Sequence, residues 1–234
     1  MKIEVWSDYV CPFCYIGKRQ LEKAIKESGY EQQIEVEFKS FLLDPSTPAD
    51  AEEPVYTALA GKYNLSEEEI KSMTANIAAR AQEIGLYYNF DEMKTANTMA
   101  AHRLAKLANE EGKAEAYNER LMKAYFQEGS AIGRPEVLKK LAEETGLDAE
   151  KVEQVLSGHR FEDEVEADIH EAQQIGVRGV PFFVINNKYG ISGAQPQKLF
   201  VQTIEQAAAE AGLTKSIQLV GDGGSTCSDG ECRM

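Results

Sequence analysis

The sequence predicts an α/β protein in which a βαβ unit and a ββα unit are separated by an all-helical insertion. Strand-like runs occur near the two ends of the chain, and helical periodicity fills the segment between them. A Cys-x-x-Cys pair also lies where the first strand gives way to the first helix. We expect residues 1–45 and 176–212 to form two halves of one domain, residues 46–175 a helical domain, and residues 213–234 a tail.

A βαβ unit opens the chain. Residues 2–6 consist mostly of β-forming types, and residues 33–41 alternate apolar with charged side chains. This alternation is typical of an edge strand that has one face in water. Between these strands, apolar residues at helical spacing predict a helix that ends near Gly29.

Helical stretches then follow without a convincing strand. Ser66 and Glu69 have the spacing of a capping box, and they precede an amphipathic stretch that stops at Gly85. Further apolar stripes are separated by glycines, which favour helix ends and turns. We therefore expect an all-helical segment without a repeat of fixed period.

The ββα unit closes the pattern. Residues 180–193 contain two β-rich runs with Asn186-Asn187 between them, as in a hairpin turn. A final helix is predicted from near Pro196 to Gly212. The residues after it are rich in Gly, Ser and Asp, a composition that predicts a mobile tail.

Composition limits the classes of partner. The chain has 25 basic and 39 acidic residues and a net charge of −14, which repels nucleic-acid phosphates and anionic lipid surfaces. We therefore expect neither nucleic-acid nor membrane partners. The first residues lack the basic and apolar regions of an export signal, and no long uninterrupted apolar run occurs. These features predict a soluble cytoplasmic protein.

The cysteine pair Cys11 and Cys14 has the setting of a reactive dithiol. If Cys11 is the N-cap of the first helix, Pro12 takes the first helical position, where its missing N–H costs nothing. The unpaired amides and the dipole at the helix start then favour the Cys11 thiolate over the thiol. Cys14, one turn further along, is expected to be shielded from solvent and close enough to attack a mixed disulfide at Cys11.

Two other roles of the cysteines stay open. Cys227 and Cys232 could complete a four-thiolate zinc site with Cys11 and Cys14, although a proline between the thiols fits a helix start better. A purely structural role is the other alternative. Since a Cys-x-x-Cys pair between a strand and a helix is a typical redox motif, we favour thiol chemistry without a metal or an organic cofactor.

Other residues near these motifs are candidates for the site. Val180-Pro181 stands at the head of a strand, where a cis proline would expose the preceding backbone to an extended peptide; an ordinary strand start is the alternative. Asp8 could accept a proton or raise the thiol pKa, or it could be a turn residue. His102 could approach the thiols from the helical segment, or it could pack as an ordinary helix residue.

Aromatic residues are concentrated around the cysteine pair in the sequence. We expect them to give the site an apolar surface for unfolded or extended peptides, with Trp6 in the core and Phe13 exposed. His159 and His170 show no pattern typical of ligands. The aromatic residues concerned are Trp6, Tyr9, Phe13, Tyr15 and Phe182.

Three separated segments resemble one known family. They are residues 6–24 (WSDYVCPFCYIGKRQLEKA), 97–108 (NTMAAHRLAKLA) and 176–196 (GVRGVPFFVINNKYGISGAQP). In this order they resemble the FrnE-type branch of the DsbA-like thioredoxin superfamily, and the similarity extends from residue 1 to about residue 212. The resemblance implies a thioredoxin-like fold with an inserted all-helical domain.

The resemblance also implies roles for individual residues. Cys11 corresponds to the attacking thiol, Cys14 to the resolving thiol, and Val180-Pro181 to the cis-proline loop that faces them. The dipeptide between the thiols, Pro12-Phe13, lacks the histidine of the periplasmic oxidant DsbA and is more like that of glutaredoxins. We therefore expect a less oxidising couple, held largely reduced by glutathione, that works as a reductase or isomerase of protein disulfides.

The tail contains a second candidate dithiol. Some FrnE-like proteins carry such a pair there, and Cys227 and Cys232 resemble it in a Cys-x4-Cys arrangement. We expect this pair to exchange with Cys11 and Cys14, because a tether makes their encounter intramolecular. A pair that simply forms its own local disulfide is the alternative.

Two other functions stay open. Kappa-type glutathione transferases and hydroxychromene-carboxylate isomerases share the implied architecture, but they typically have a serine at the position of Cys11 and lack a resolving thiol. A peptide-binding chaperone module, in which the cysteines are incidental, is the third possibility. The intact cysteine pair favours the oxidoreductase over both.

Overall fold

The computed structural model describes residues 1–215 of the chain. Its central sheet has four strands, which are β1 Lys2–Ser7, β2 Glu35–Ser40, β3 Phe182–Ile185 and β4 Tyr189–Ser192. Their order in the sheet is β2-β1-β3-β4. Strand β1 pairs in parallel with β2 and antiparallel with β3, and β3 pairs antiparallel with β4.

Helix α1 (Pro12–Ser28) connects β1 to β2, and helix α9 (Gln197–Glu210) follows β4, so the predicted βαβ and ββα order is confirmed. Between β2 and β3 the regular structure consists of helices, apart from one isolated bridge between Pro54 and Lys94. The helices are α1 Pro12–Ser28, α2 Val55–Tyr63, α3 Glu67–Gln82, α4 Met99–Glu110, α5 Ala114–Phe126, α6 Pro135–Glu144, α7 Ala149–Ser157, α8 Glu162–Gln174 and α9 Gln197–Glu210. The α/β fold class is therefore confirmed, and the residue limits of the domains stay a prediction.

Helices cover both faces of the sheet. Apolar residues of α1 and α9 form one core with Ile3, Val5 and Phe183 of the strands. On the opposite face, Trp6 packs against Ala172 of α8, and its indole N–H donates a 2.9 Å hydrogen bond to the Asp168 carbonyl. The predicted core position of Trp6 is thus confirmed. The largest core joins the start of α1 to the helical segment, and this core contains both cysteines.

Local sequence signals set the ends of several elements. Ser66 and Glu69 form the predicted capping box at the start of α3, and α1 ends at Gly29 in a left-handed conformation. Asn186 and Asn187 both have positive φ, as the predicted tight hairpin turn requires. The second strand is shorter than the predicted range 33–41, because residues 31–33 form a 3-10 turn before it.

Strand β2 lies at one edge of the sheet, as its alternating pattern predicts. Within residues 1–215, no helix is both long and apolar enough to cross a bilayer. Cys227 and Cys232 lie outside the described residues, so the expectations for the tail pair are not tested by the structure.

Candidate active site

The cysteine pair stands at the junction that the sequence predicts. Cys11 is the N-cap residue of α1, with extended backbone angles (φ −89°, ψ 112°), and Pro12 is the first helical residue. The Cys14 N–H donates a 3.0 Å hydrogen bond to the Cys11 carbonyl and so begins the helix. The preceding turn is closed by the Cys11 N–H, which donates to the Asp8 carbonyl at 3.2 Å. Strand, turn and helix start therefore hold the two thiols one turn apart.

The two thiols have opposite ionisation tendencies. A hydrogen bond from the Cys14 thiol holds the pKa of Cys11 below its ordinary value, and the N–H groups of Cys14 and Phe13 act with it against the opposing effect of burial. Burial raises the pKa of Cys14 well above its ordinary value. Cys11 is therefore the thiol that ionises first, and the neighbouring thiol contributes more to this than the helix start alone.

The bond between Val180 and Pro181 is cis, and this loop lies directly against the cysteines. The Cys11 thiol donates to the Val180 carbonyl with a sulfur–oxygen distance of 3.4 Å. The Pro181 carbonyl accepts a 2.8 Å hydrogen bond from the Gly193 N–H, which anchors the loop beside β4. The structure thus brings together the two motifs that the sequence predicts to face each other.

The helical segment covers the cysteines. Cys11 is only 4% exposed, although the sequence predicts that Cys14 alone is shielded. The Tyr88 hydroxyl donates to the Pro12 carbonyl at 2.7 Å, and Arg80 donates to the Ala194 carbonyl while its guanidinium lies 5.9 Å from the Phe13 ring centre. Sequence spacing gives no sign of this cover, because Arg80 and Tyr88 come from a distant part of the chain.

Asp8 and His102 form a buried pair beside the thiols. Asp8 is 1% exposed, and one carboxylate oxygen accepts a 2.8 Å hydrogen bond from the Leu43 N–H. Its other oxygen lies 3.3 Å from Nε2 of His102, which is 3% exposed. The Asp8 charge acts to raise the pKa of Cys11, as one of the two interpretations of this residue predicts. His102, on α4, thus contacts Asp8 and does not itself contact the thiols.

The prediction of an apolar aromatic surface is wrong for Tyr9 and Tyr15. Both are buried under the helical segment, and Trp6 is in the core as predicted. Phe13, which the sequence predicts to be exposed, is half-buried beneath Arg80. His159 is exposed in the loop between α7 and α8, where it contacts Glu162, and His170 is exposed on α8, where it contacts Gln174.

Ser7, which precedes Asp8 and ends β1, is a further residue of the site. Ser7 is 6% exposed, and its hydroxyl acts to lower the pKa of the neighbouring Cys14 thiol. No sequence signal separates it from the other polar strand residues. Within residues 1–215, no three or more His, Cys, Asp or Glu side chains are arranged to hold a metal ion. The four-thiolate zinc alternative depends on Cys227 and Cys232 and stays untested.

Comparisons with known proteins identify the family. The model of the DSBA-like thioredoxin domain family matches residues 2–205. The uncharacterized protein YwbO of Bacillus subtilis (strain 168) is 34% identical over 204 residues, which cover 86% of this chain and 94% of YwbO. The structure of the probable DsbA oxidoreductase SCO1869 from Streptomyces coelicolor is 39% identical, covers 94% of both chains and has a TM-score of 0.86.

A more distant structure, that of a 2-hydroxychromene-2-carboxylate isomerase, shows the shared fold alone. It is 19% identical, with a TM-score of 0.68 over 92% of this chain and 100% of that chain. The FrnE-type branch stays a prediction, since the family model is broader. The family match spans both cysteines and the Val180-Pro181 loop. The chain has the four-stranded sheet, the helical segment and the dithiol at the start of α1 described above, and it belongs to the DSBA-like thioredoxin domain family.

Proposed function

We propose that this protein is a thiol–disulfide oxidoreductase that reduces or isomerises protein disulfides in the cytoplasm. The Cys11 thiolate attacks a substrate disulfide, forms a mixed disulfide and releases one substrate thiolate. Cys14 then attacks the Cys11 sulfur, which frees the second substrate thiolate and leaves a Cys11–Cys14 disulfide. Two electrons pass to the substrate, and an external thiol such as glutathione returns them. The sulfurs carry the electrons themselves, so we expect neither a metal nor an organic cofactor.

The surroundings of the Cys11 sulfur carry this proposal: a hydrogen bond from the Cys14 thiol lowers its pKa, and the Val180 carbonyl lies 3.4 Å away. The first contact favours the thiolate over the thiol, and the thiolate is the nucleophile in disulfide exchange. The second places main-chain hydrogen-bonding groups next to the reacting sulfur. An extended peptide can pair with such groups while its disulfide meets Cys11.

Reduction is the favoured direction. The Pro12-Phe13 dipeptide supplies no imidazole to stabilise the thiolate further, so the reduced form is less favoured than in a strong oxidant. The acidic chain, with a net charge of −14, also disfavours nucleic-acid and anionic membrane partners.

We further propose that Cys227 and Cys232 exchange with the Cys11–Cys14 pair. If the tail thiols oxidise at the same potential with and without Cys11, that exchange does not occur.

Trapping tests the main proposal. A Cys14→Ala variant of the full chain should accumulate mixed disulfides between Cys11 and cytoplasmic proteins, detected as reducible adducts. The matched control carries Cys11→Ala as well and should give none. Folded Cys14→Ala protein without any adduct would argue against protein disulfides as substrates.

A glutathione-dependent isomerase or transferase is the second candidate. The 4% exposure of Cys11 favours it, because a small thiol reaches a covered sulfur more easily than a folded protein does. Cys11→Ser separates the possibilities. The serine variant keeps isomerase or transferase activity but has no disulfide reductase activity if this second candidate is right. Full refolding activity in the same variant would instead indicate a peptide-binding chaperone module.

A further inference from the structure

A partly enclosed cavity lies between β2, α4 and α5, at the end of β1 next to the cysteines. It runs from buried Ser7 and His102 to Asn109, which is exposed at the end of α4. Its volume available to the centres of water molecules is about 40 Å³, which is enough to hold water. The cavity therefore offers a path between solvent and the inner end of the site.

Ser7 is a buried hydroxyl without a hydrogen bond of normal geometry to any described residue. Strand alternation places its side chain on the same sheet face as Ile3 and Val5, which is the face covered by α1. A buried hydroxyl is costly unless it is hydrogen-bonded, and water in the adjoining cavity would provide a partner. Ser7 lines this cavity, and its hydroxyl also acts on the Cys14 thiol, whose pKa it lowers.

Cys14 needs a route for its proton. Its thiol is 2% exposed, and its hydrogen bond to Cys11 is the influence that favours the Cys11 thiolate before substrate is bound. Once Cys11 is part of a mixed disulfide, that thiolate no longer exists. Cys14 must then lose its proton before it can attack, while the substrate occupies the side of the Val180 carbonyl.

The Asp8–His102 pair is suited to take this proton. His102 lines the cavity, and its Nε2 lies 3.3 Å from Asp8. With Nε2 donating to the Asp8 carboxylate, the other ring nitrogen, Nδ1, is the one able to accept a proton. The resulting imidazolium would be held by the adjacent carboxylate.

We propose that Ser7 and water in this cavity pass the Cys14 proton to His102, which Asp8 orients, during the resolving step. This inference rests on the proposed function. The Cys14 S–H proton moves to the Ser7 hydroxyl as the hydroxyl proton moves through water to His102 Nδ1. The Cys14 thiolate then forms the bond to Cys11 sulfur, and the substrate leaves as a thiolate that takes a proton from solvent. His102 later returns its proton to solvent along the cavity.

The pH dependence of this step involves several neighbouring groups. Cys11 and Tyr88 face Cys14 from α1 and from the segment after α3. The titratable groups around the cavity come from the end of β1, from β2 and from α4, and they are Tyr9, Glu37, Lys39, His102 and Lys106, with Asp8 behind His102.

A two-phase reaction with an aromatic disulfide such as DTNB tests the route. In the full chain with Cys227→Ala and Cys232→Ala, Cys11 attack releases the first coloured thiolate and Cys14 attack releases the second. Ser7→Ala should leave the rate of the first phase within about twofold of the parent rate, and it should slow the second phase at least about tenfold at neutral pH. The difference should shrink as the pH rises, because Cys14 then ionises without a base.

His102→Gln should slow the second phase in the same way, and it tests the route independently should Ser7→Ala fail to fold. Ser28→Ala is the matched control, because it removes another buried hydroxyl, which donates to the Ile25 carbonyl of α1. The route would be overturned if the second-phase rates of Ser7→Ala and His102→Gln stayed within about twofold of the parent rate at every pH, or if they were slowed equally at every pH. A parent protein that lacks either phase would instead overturn the proposed function.

Discussion

Removing the Cys14 thiol should raise the pKa of Cys11. The hydrogen bond from Cys14 is the largest influence that lowers this pKa, while burial opposes it. Cys14→Ala removes the donor and leaves the backbone N–H groups at the start of α1 in place. The substitution therefore destabilises the Cys11 thiolate relative to the neutral Cys11 thiol.

The size of the shift follows from ordinary hydrogen-bond energies. A hydrogen bond to a charged group contributes about 1.5–3 kcal/mol, and a thiol is a weak donor, so the lower value of about 1.5 kcal/mol applies. One pKa unit corresponds to about 1.4 kcal/mol. We therefore expect the pKa of Cys11 to rise by about one unit, so that about tenfold less thiolate is present at any pH well below both values.

The assay is the pH dependence of iodoacetamide alkylation at Cys11, with the modified peptide measured separately from those of Cys227 and Cys232. Cys14→Ala should move the midpoint of the rate curve upward by about one unit. Cys14→Ser is the matched control, since its hydroxyl still donates and should keep the midpoint low. Equal midpoints in the parent and in Cys14→Ala would refute the reasoning and assign the lowered pKa to the backbone groups of the helix start.

Three further substitutions test packing and caps. Arg103→Met should lower the free energy of unfolding by about 2–4 kcal/mol in urea titrations, because the guanidinium donates to three main-chain carbonyls at and after the end of α7; a loss below about 1 kcal/mol would contradict this. Gly17→Ala would place a Cβ 2.9 Å from Phe183 and 3.0 Å from Pro181. Thermal unfolding should therefore show a free energy of unfolding lowered by about 1–3 kcal/mol, and Cys11 alkylation should be slower. Unchanged stability and alkylation would show that the Pro181 loop moves aside without cost. Ser66→Ala should lower the free energy of unfolding by about 1 kcal/mol, because it removes the α3 capping box. Ser66→Thr should keep most of this stabilisation, because its hydroxyl can still cap the helix.

Much of the fold could be predicted from the sequence because its signals are local. The Ser66 capping box, the Asn186-Asn187 turn and the Gly29 helix end each depend on a few adjacent residues, and the structure has all three. Strand β2 was less well predicted, since the turn at residues 31–33 shortens it. The aromatic residues near the cysteines were misplaced, because their burial depends on helices that the sequence does not position.

Local sequence patterns are enough to establish that Cys11 caps a helix that begins at Pro12, with Cys14 one turn further on, because caps and helical spacing act between near neighbours. The groups that surround these thiols are set instead by contacts between distant parts of the chain. The Val180 carbonyl meets Cys11 from 169 positions away, and His102 meets Asp8 from 94 positions away. Such contacts depend on how the sheet and the helical segment pack together, and no local pattern of residues specifies that packing.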